Sequence, residues 1–539
     1  MVIETDVLIV GGSLVGLSAA TFLAWHGVPT LSVERHDGTA IHPRAGHFHL
    51  RTLEVFRTVG LEGRVRAASE EQFDPDGGIN AVESLAGKEI ATYIANLNEG
   101  VAAISPSTRL FMTQQSLEPL IRARAEELGA TIRYATELTA FEQDADGVTG
   151  FIRNLATGAT DTVRAKYMIA ADGNRSPIRT RLGIGTRGPG HLADCVTIYF
   201  QADCAAALRG RNLGVIYVFN PALRGFFRLV RTGDSGFLAV MTRGDMARPD
   251  ALNVADGIDK ESAIAFVRAA IGMPGVNVTI GDIAAWRAVA EVAERLCEQR
   301  VFLVGDAAHV MPPMGGFGGN TGVQDTHNLA WKLALVLKGI AGPELLATYN
   351  AERQPVGELA IQQAYTRYVL RVVPERGQDG MQPIVPDFNM EIGYGYRSSA
   401  VVSEPGNEAP LHGDPLRSRG TPGTRAPHIV LEREGKPLSS FDLFTRNFCV
   451  LAAADGGAWC EAASLAAAEL GLPLDAHQID RRGLRDPQRR FPEAYGVSPS
   501  GAVLVRPDGF VGWRAVDAAD ASVATMRKAL ASLLCRHDR

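Results

Sequence analysis

Three segments of the chain combine glycines with a carboxylate or amide at spacings suited to holding a nucleotide. The first, residues 11–16 (GGSLVG), is followed by Glu34, 23 positions after its first glycine. The second is residues 170–179 (AADGNRSPIR), and the third is residues 305–320 (GDAAHVMPPMGGFGGN). A glycine-rich turn before a helix offers backbone N–H groups to phosphates, and a carboxylate after the next strand accepts hydrogen bonds from a ribose. The sequence therefore predicts a dinucleotide site built from distant parts of the chain.

The first segment follows the dinucleotide fingerprint GxGxxG with one departure. Gly11 permits the tight turn, and Gly16 lets the helix and the strand approach closely. Ser13 replaces the middle glycine and places a Cβ near the phosphates. Taken alone, this segment is also compatible with a glycine-rich turn in a generic α/β fold, so the other two segments carry much of the argument.

The elements around these segments alternate between strand and helix. Residues 6–10 predict a strand, 14–25 a helix and 30–33 a second strand, which is the βαβ unit of a parallel sheet. Apolar runs at 167–171 and 300–305 predict the strands that precede the second and third segments. Further helices are predicted over residues 114–128, 320–338 and 343–373.

The chain between the second and third segments has a different pattern. There the apolar residues alternate, as in VTIYFQADC and GFLAVM, which predicts an antiparallel sheet exposed on one face. A stretch rich in Pro, Gly and Arg then predicts a linker before a small α/β module. The predicted fold class is therefore α/β. Its predicted parts are a discontinuous nucleotide-binding domain (1–185 and 290–373), an antiparallel-sheet substrate domain (186–289), a linker (374–428) and a C-terminal domain (429–539).

The composition narrows the choice of ligand to a small molecule. With 54 Lys and Arg against 60 Asp and Glu, the net charge of −6 gives neither nucleic acid nor an anionic membrane the usual attraction. The six cysteines form no CxxC pair, which predicts reduced thiols. His47 and His49 lack a plausible third ligand, so no metal is predicted. Acidic residues near the start, and no uncharged apolar run of about 18 residues, make a cytoplasmic location the expectation.

Together the three segments resemble those of class A flavin-dependent monooxygenases with the para-hydroxybenzoate hydroxylase fold, especially the hydroxylases of aromatic polyketides. They stand in the order and spacing of that family, and the resemblance spans essentially the whole chain. It implies FAD bound in a Rossmann-like βαβ domain, an antiparallel substrate domain and a thioredoxin-like C-terminal domain. Without a CxxC pair, that last domain cannot exchange dithiols.

The resemblance also implies a reaction. NADPH or NADH would bind transiently and reduce FAD, and O2 would add to give a flavin C4a-hydroperoxide. That oxidant would hydroxylate a polycyclic aromatic polyketide, and the protein would orient this substrate and exclude water. Both a monomer and a homo-oligomer are compatible with the sequence.

The residues that would hold FAD follow from the same resemblance. Asp306 would hydrogen-bond the ribityl chain, and backbone N–H groups of residues 318–320 would face the pyrimidine edge of the flavin. For Arg44 and Gln114 an exposed helix position is the alternative, and for Asp172 a purely structural turn. The complete predicted FAD-binding set is Gly11, Ser13, Gly16, Glu34, Arg35, Arg44, Gln114, Asp172, Asp306, Pro313, Gly316, Gly318, Gly319 and Asn320.

Tyr217 and Arg371 match positions that approach the substrate in the polyketide hydroxylases. A phenol and a guanidinium there would hold a ring hydroxyl or help to ionise it. Core packing of Tyr217 and a solvated helix position for Arg371 are the alternatives. His309, a lone histidine at a strand end, is expected to be a packed residue and not a catalyst.

Three other functions are weighed against hydroxylation. The same flavin oxidant could give a Baeyer–Villiger or ring-opening product, which the sequence does not separate from a hydroxylated one. A flavin-free NAD(P)-linked dehydrogenase would explain residues 11–16 but not residues 305–320. A protein that only sequesters a polycyclic ligand would hold no flavin that NADPH reduces.

Overall fold

A mainly parallel sheet is built from the first third of the chain and from strands near residue 300. The computed structural model describes residues 2–41, 46–242, 254, 258–377 and 381–536. Its elements up to residue 181 are β1 Val2–Val10, α1 Leu14–Trp25, β2 Thr30–Val33, β3 His47–Phe48, α2 Leu50–Thr58, α3 Glu62–Gln72, β4 Gly78–Val82, β5 Glu89–Ile94, β6 Leu110–Phe111, α4 Gln114–Glu127, β7 Thr131–Arg133, β8 Thr136–Gln143, β9 Val148–Asn154, β10 Thr160–Ala170 and α5 Pro177–Arg181. The βαβ unit predicted from the sequence is β1, α1 and β2.

Elements from the middle of the chain complete this sheet and form a second one. They are β11 Thr186–Gln201, α6 Ala205–Leu208, β12 Leu213–Phe219, β13 Arg224–Leu229, β14 Ser235–Met241, α7 Lys260–Ile271, β15 Thr279–Ala293, β16 Cys297–Glu298, β17 Val301–Leu303, β18 His309–Val310, α8 Phe317–Leu337 and α9 Ala347–Val372. The first sheet has the order β16-β17-β10-β1-β2-β7, with β8 and β9 attached beside β10. From β17 to β7 all neighbouring strands are parallel.

Parallel pairing agrees with the composition of the central strands. The carboxyl half of β1 (residues 7–10) and all of β2 (residues 30–33) are buried. Continuous apolar runs of this kind suit strands that are covered on both faces, as parallel strands are. The sheet therefore has a rigid, fully covered centre whose carboxyl edge carries the loops.

The second sheet is antiparallel over most of its width, as predicted, but it differs from the prediction in two ways. Its order is β18-β15-β11-β14-β13-β12-β4-β5, so two strands from residues 78–94 join it, although the predicted division at residue 185 assigns them elsewhere. β4 pairs with β12, which lies more than 120 residues further along the chain, and β5 joins through β4, so local pattern does not show this arrangement. The expectation of an exposed face is wrong, because α7 packs its buried residues, among them Val267 and Ile271, against that face.

The C-terminal part forms a small mixed sheet. The elements are α10 Asp387–Glu391, β19 Val430–Arg433, β20 Lys436–Ser439, β21 Phe448–Ala452, α11 Gly457–Leu470, β22 Leu474–Gln478, β23 Leu484–Arg485, α12 Phe491–Tyr495, β24 Ala502–Val505, β25 Val511–Ala515 and α13 Val523–Leu533. The sheet order is β22-β21-β24-β25, with β21 parallel to β22 and antiparallel to β24. The thioredoxin-like assignment stays a prediction, which this strand order favours.

The region predicted as a linker, residues 374–428, is irregular but packed. Tyr394 and Tyr396 are almost fully buried, and Tyr396 stacks on Phe510 with ring centroids 4.1 Å apart. Arg425 donates from Nε to Glu54 on α2 at 2.9 Å. The Pro, Gly and Arg content that suggested a linker reflects the small amount of regular structure in this region, where α10 is a short helix. The region is nevertheless buried, because it contacts both the first domain and the C-terminal part.

A buried ion cluster of Lys332, Glu352, Arg506 and Asp508 joins the C-terminal part to α8 and α9. Glu352 accepts from Lys332 Nζ at 2.7 Å and from Arg506 Nη1 at 2.6 Å. Arg506 also pairs with Asp508 in the turn between β24 and β25, and Trp331 Nε1 donates to Asp508 at 3.2 Å. None of the four charged side chains is more than 2% exposed. The C-terminal part is therefore fixed to the first domain through charges that neutralise one another.

Two further observations bear on the predicted environment. All six cysteines are unpaired. Among the helices of the described residues, none has both the length and the apolar composition needed to cross a bilayer.

Candidate active site

The three glycine-containing segments follow three adjacent parallel strands, β1, β10 and β17. The backbone ladder continues into each turn, since Ala171 N donates to Val10 O at 2.8 Å and Val304 N donates to Ala170 O at 3.0 Å. Turns at the carboxyl ends of neighbouring parallel strands lie side by side, and this edge is where such sheets bind ligands. Sheet topology thus brings together segments that lie more than 290 residues apart in sequence.

In the turn between β1 and α1, two positions have space only for glycine. Gly11 has a φ of 115°, and a Cβ on it would lie 2.2 Å from Ala171 O. A Cβ on Gly16 would lie 1.9 Å from Gly11 O, so the close approach at Gly16 is to the turn itself. Glu34 Oε2 accepts the Gly12 N–H at 2.7 Å, which places its carboxylate beside the turn, as predicted for a ribose contact. Arg35 follows on the exposed side of this loop.

Ser13 is part of a hydrogen-bond network that explains why the middle glycine is dispensable. Its hydroxyl donates to Glu118 Oε1 at 2.6 Å and accepts from Gln114 Nε2 at 2.8 Å. Glu118 also accepts the N–H groups of Leu14 and Ala40, at 2.7 and 2.6 Å. Gln114 is thus placed at the turn, as predicted, and acts together with the fully buried Glu118. Glu118 is absent from the predicted set, although its position four residues after Gln114 puts both on one helix face.

We expect Glu118→Ala to weaken cofactor binding about tenfold, because it leaves the buried N–H of Leu14 at the start of α1 and the hydroxyl of Ser13 without their acceptor. The measurement is a titration of the cofactor-free protein with FAD, followed by quenching of flavin fluorescence. Glu127→Ala is the matched control, since Glu127 lies on the same helix but pairs with Arg64 on the surface. Equal FAD affinity in the two variants would show that the Glu118 network does not support the turn.

The second segment is stabilised mainly by its own hydrogen bonds. Asp172 accepts from the Ser176 hydroxyl at 2.6 Å and from Ile178 N at 3.1 Å, and burial raises the pKa of its carboxyl. Arg179 Nη1 donates to Ala307 O at 2.9 Å and so ties the second segment to the third. These contacts give Asp172 a structural role, and a contact to the cofactor stays a prediction.

The third segment contains Asp306, exposed in a short 3-10 turn directly after β17, and it ends in the first turn of α8. Gly315 and Gly316 have φ values of 90° and 70°, and Gly316 N donates to the carbonyl of the exposed Pro313 at 3.0 Å. The helix begins at Phe317, three residues before the predicted start. The N–H groups of residues 317–319, which include Gly318 and Gly319, therefore lie in a first helical turn, where they have no partner within the helix.

The side chain of Asn320 is fully used inside the protein. Its Oδ1 accepts from His49 N at 2.9 Å and from the Thr52 hydroxyl at 2.7 Å, and its Nδ2 donates to His47 O and Gly316 O. Asn320 therefore fastens the loop around His47 to the start of α8. A contact to the flavin from this residue would have to come from its backbone.

His47 and His49 pack against each other, with ring centroids 4.8 Å apart in a T-shaped contact. His49 Nε2 lies 2.9 Å from Gly315 O, and burial lowers the pKa of its imidazole. The described ranges hold no group of three or more His, Cys, Asp or Glu side chains arranged to bind a metal ion. The predicted contact residue Arg44 lies outside the described residues.

His309 belongs to a fully buried charged group. Its Nε2 lies 2.7 Å from Asp325 Oδ2, and Asp325 Oδ1 accepts from Arg353 Nε at 2.8 Å. Burial alone would raise the pKa of Asp325, but the nearby His309 and Arg353 lower it. The group joins β18, α8 and α9 away from solvent, which agrees with the expectation that His309 is a packed residue.

Tyr217 and Arg371, the two predicted substrate residues, lie close together between the second sheet and α9. Arg371 Nη1 donates to the Tyr217 hydroxyl over a long 3.4 Å, and its guanidinium lies 4.4 Å from the ring centroid of Tyr93. Tyr217 packs in an apolar cluster that also contains Met314. Met314 directly precedes Gly315, so this cluster extends to the segment predicted to follow the flavin.

Comparison with known proteins decides which family has this arrangement. Residues 4–364 match the model of an FAD binding domain, and residues 419–536 match the model of the aromatic-ring hydroxylase C-terminal region. The chain belongs to the FAD-binding aromatic-ring hydroxylases. This hydroxylase is 54% identical to a 4-methyl-5-nitrocatechol 5-monooxygenase from a Burkholderia species, over 99% of the chain and 98% of the relative.

Two polyketide-modifying proteins are similar over the same length. An aklavinone 12-hydroxylase from Streptomyces purpurascens is 38% identical to the hydroxylase, over 99% of both chains. The crystal structure of an aklavinone-11 hydroxylase with FAD and aklavinone matches with a TM-score of 0.93 and 36% identity, over 99% of both chains. The hydroxylase is therefore an FAD-dependent aromatic monooxygenase, with NAD(P)H as the reductant typical of this class.

The residues at the sheet edge fit FAD. Glycine at positions 11 and 16 leaves the turn before α1 open to a pyrophosphate, and Glu34 stands where a ribose would follow. The first turns of α1 and α8 offer two sets of N–H groups with partial positive charge, one for each end of an elongated cofactor. The predicted anchors at the adenosine end and at the flavin end are compatible with this geometry and stay predictions.

Proposed function

We propose that the hydroxylase adds one hydroxyl oxygen to a carbon atom of a phenolic ring that binds between the second sheet and α9. The observation that carries this proposal is the contact between Arg371 and Tyr217, because the apolar cluster that contains Tyr217 extends to Met314, next to the predicted flavin segment. When bound, FAD supplies the activation of O2 with electrons from NAD(P)H. The protein supplies binding, orientation and a dry environment.

The roles of the chain's own groups follow from their chemistry. The guanidinium of Arg371 and the hydroxyl of Tyr217 together hold the phenol oxygen of the substrate. A positive charge close to a phenol favours its ionised form, and an ionised ring is richer in electrons. The apolar side chains around Tyr217, among them Ile361 and Val369 on α9, exclude water from the ring.

Two substrate classes are supported by the relatives. A polycyclic aromatic polyketide is favoured by the aklavinone hydroxylases, which resemble the hydroxylase in both sequence and structure. A single-ring nitrocatechol is favoured by the 54% identity to the nitrocatechol monooxygenase over nearly the whole chain. With either ring, a Baeyer–Villiger or ring-opening product is the alternative outcome, and the product structure distinguishes it from simple hydroxylation.

We expect Tyr217→Phe to lower substrate-dependent product formation at least tenfold while the FAD content stays at one per chain. The lost hydroxyl removes a contact to the phenol oxygen but none that the described residues make to the cofactor segments. The assay compares NADPH consumption and hydroxylated product over a panel of catechols and polycyclic phenols. Tyr167→Phe, a buried tyrosine of the first sheet, is the control. Unchanged product formation in Tyr217→Phe would remove this pair from the proposed site.

A further inference from the structure

Arg228 is a buried arginine on β13, on the face of the second sheet that carries the proposed substrate site. Along β13, Phe227 and Leu229 pack under α7 on the outer face. Because side chains alternate along a strand, Arg228 and Phe226 lie on the opposite face. Phe226 packs there against Tyr217, with ring centroids 5.9 Å apart. Arg228 therefore faces the side of the sheet on which the phenolic ring is proposed to bind.

The charge of Arg228 has no counterpart in the described residues. Arg228 is only 3% exposed, and among the described residues its side chain donates one hydrogen bond, from Nε to Gly214 O at 3.2 Å. Its Nη2 is buried without a partner, and no carboxylate of the described residues forms an ion pair with it. Burial alone lowers the pKa of the guanidinium to about 9. By contrast, the fully buried Arg506 and Arg353 each pair with a carboxylate, Glu352 and Asp325 respectively.

Aromatic rings surround the guanidinium of Arg228. The guanidinium lies 4.4 Å from the ring centroid of Phe73 and 4.2 Å from that of Phe111. Phe111 also contacts the ring of His47, whose Nε2 is likewise buried without a partner. A Cβ on Gly46 would lie 1.9 Å from Arg228 Nη1, so glycine at this position leaves room for the guanidinium.

His47, at one side of these aromatic rings, adjoins the segment predicted to hold the flavin. His47 follows Gly46 directly, and a Cβ on Gly316 would lie 3.4 Å from the His47 ring. The carbonyl of His47 is fastened by Asn320 at the start of α8. Two buried polar groups without partners thus stand next to the flavin segment and on the substrate face of the sheet.

We propose that Arg228, assisted by His47, determines substrate specificity by binding a planar two-oxygen substituent, a carboxylate or a nitro group, on the phenolic ring. The inference rests on the proposed function and narrows its substrate class. Guanidinium N–H groups match two oxygens in one plane, and such charge-assisted pairs are strong when they are shielded from water. A carboxylate would also supply the counter-charge that the described residues lack around Arg228, whereas a nitro group would supply two oxygens with partial negative charge. The Phe73 and Phe111 rings would then flank the bound substituent.

The test measures ligand binding by the FAD-loaded protein, followed by the change in flavin absorbance. The single-ring series is catechol, 4-nitrocatechol and 3,4-dihydroxybenzoate, and the two-ring pair is 1-naphthol and 1-hydroxy-2-naphthoate. Arg228→Met and Arg228→Lys are compared with Arg231→Met, an arginine just beyond β13 that pairs with Asp74 at the surface. We expect the wild type to bind at least one substituted ring ten or more times tighter than its unsubstituted partner. Comparing nitro with carboxylate identifies the group that Arg228 receives.

In Arg228→Met that preference should shrink to less than threefold, while FAD content and affinity for the unsubstituted ring stay within twofold of wild type. Arg228→Lys should retain part of the preference, and Arg231→Met all of it. If the wild type binds neither the nitro-substituted nor the carboxylate-substituted rings more tightly than the unsubstituted ones, that result alone would overturn the inference. So would an Arg228→Met protein that loses FAD and all ligands equally. The proposed function fails separately, if no phenol of the panel gains oxygen in the presence of NADPH and O2.

Discussion

Gly16→Val is expected to yield a protein that purifies without FAD and is less stable than wild type. A Cβ at this position would lie 1.9 Å from the carbonyl oxygen of Gly11. Rotation of the side chain cannot relieve this clash, because the backbone of residue 16 fixes the position of its Cβ. Overpacking of this kind costs roughly 1–3 kcal/mol, and relief requires the turn to shift. This turn is predicted to bind the pyrophosphate of FAD. We therefore expect the variant to lose its flavin even under conditions in which it stays folded. Absorbance at the flavin band and denaturant unfolding measure the two effects.

Gly63→Val is the matched control for this change. Gly63 also lies in a helix, α3, and a Cβ on it meets no atom within 4 Å. The control should retain its flavin and should not lose stability, because valine has a helix propensity higher than that of glycine by roughly 0.5 kcal/mol or less. Full flavin content in Gly16→Val would show that the turn before α1 is not the cofactor anchor.

Glu352→Gln is expected to destabilise the folded protein by about 3 kcal/mol, because it leaves two buried cations, Lys332 and Arg506, with one carboxylate fewer. The effect should appear as early detachment of the C-terminal part, since Glu352 joins α9 to the turn that carries Arg506 and Asp508. Denaturant unfolding followed by intrinsic fluorescence measures it, aided by Trp331, which contacts the same cluster. Glu358→Gln is the control, because Glu358 lies on the same helix but pairs with Arg187 at the surface.

The same cluster gives stability a definite dependence on pH. Burial alone would raise the pKa of Glu352, but Arg506 and Lys332 hold it far below its ordinary value. A carboxylate with a lowered folded pKa stabilises the protein above the unfolded pKa, about 4.3 for glutamate, and this stabilisation is lost as the pH falls below it. Wild-type stability should therefore drop on acidification below that pH, and Glu352→Gln should show a smaller drop. An identical acid dependence in both proteins would contradict this role of Glu352.

The sequence predicts the first domain well where the local pattern of apolar residues and glycines is enough to place the helices and strands. The helix over residues 14–25 and the strand over 30–33 have the predicted limits, because an apolar run bounded by a glycine turn allows few alternatives. The meeting of the three glycine segments follows from their position after parallel strands. These are the features on which the family resemblance also depends.

Features that depend on distant contacts are the ones that sequence reasoning missed. Nothing local to Glu118 shows that it accepts the N–H of Leu14, and nothing local to Arg228 shows that it has no carboxylate partner. The strands at residues 78–94 join the second sheet because β12 returns to pair with β4, and β5 pairs with β4 in turn. The prediction for residues 318–320 concerns their backbone N–H groups, and the pattern does not show that the Asn320 side chain fastens the loop at His47. Each case is decided by which side chains the fold brings together, and spacing along the chain does not encode that.

Anaerobic mixing of the purified FAD-loaded protein with NADPH, followed by admission of 18O2, tests the central claim most directly. The mixture contains one phenol of the panel at a time, and flavin absorbance and product mass are recorded. The account predicts that a phenol accelerates flavin reduction and that its product gains one labelled oxygen atom. A protein whose flavin NADPH does not reduce with any phenol, or a product without label, would contradict the assignment of this site to aromatic hydroxylation.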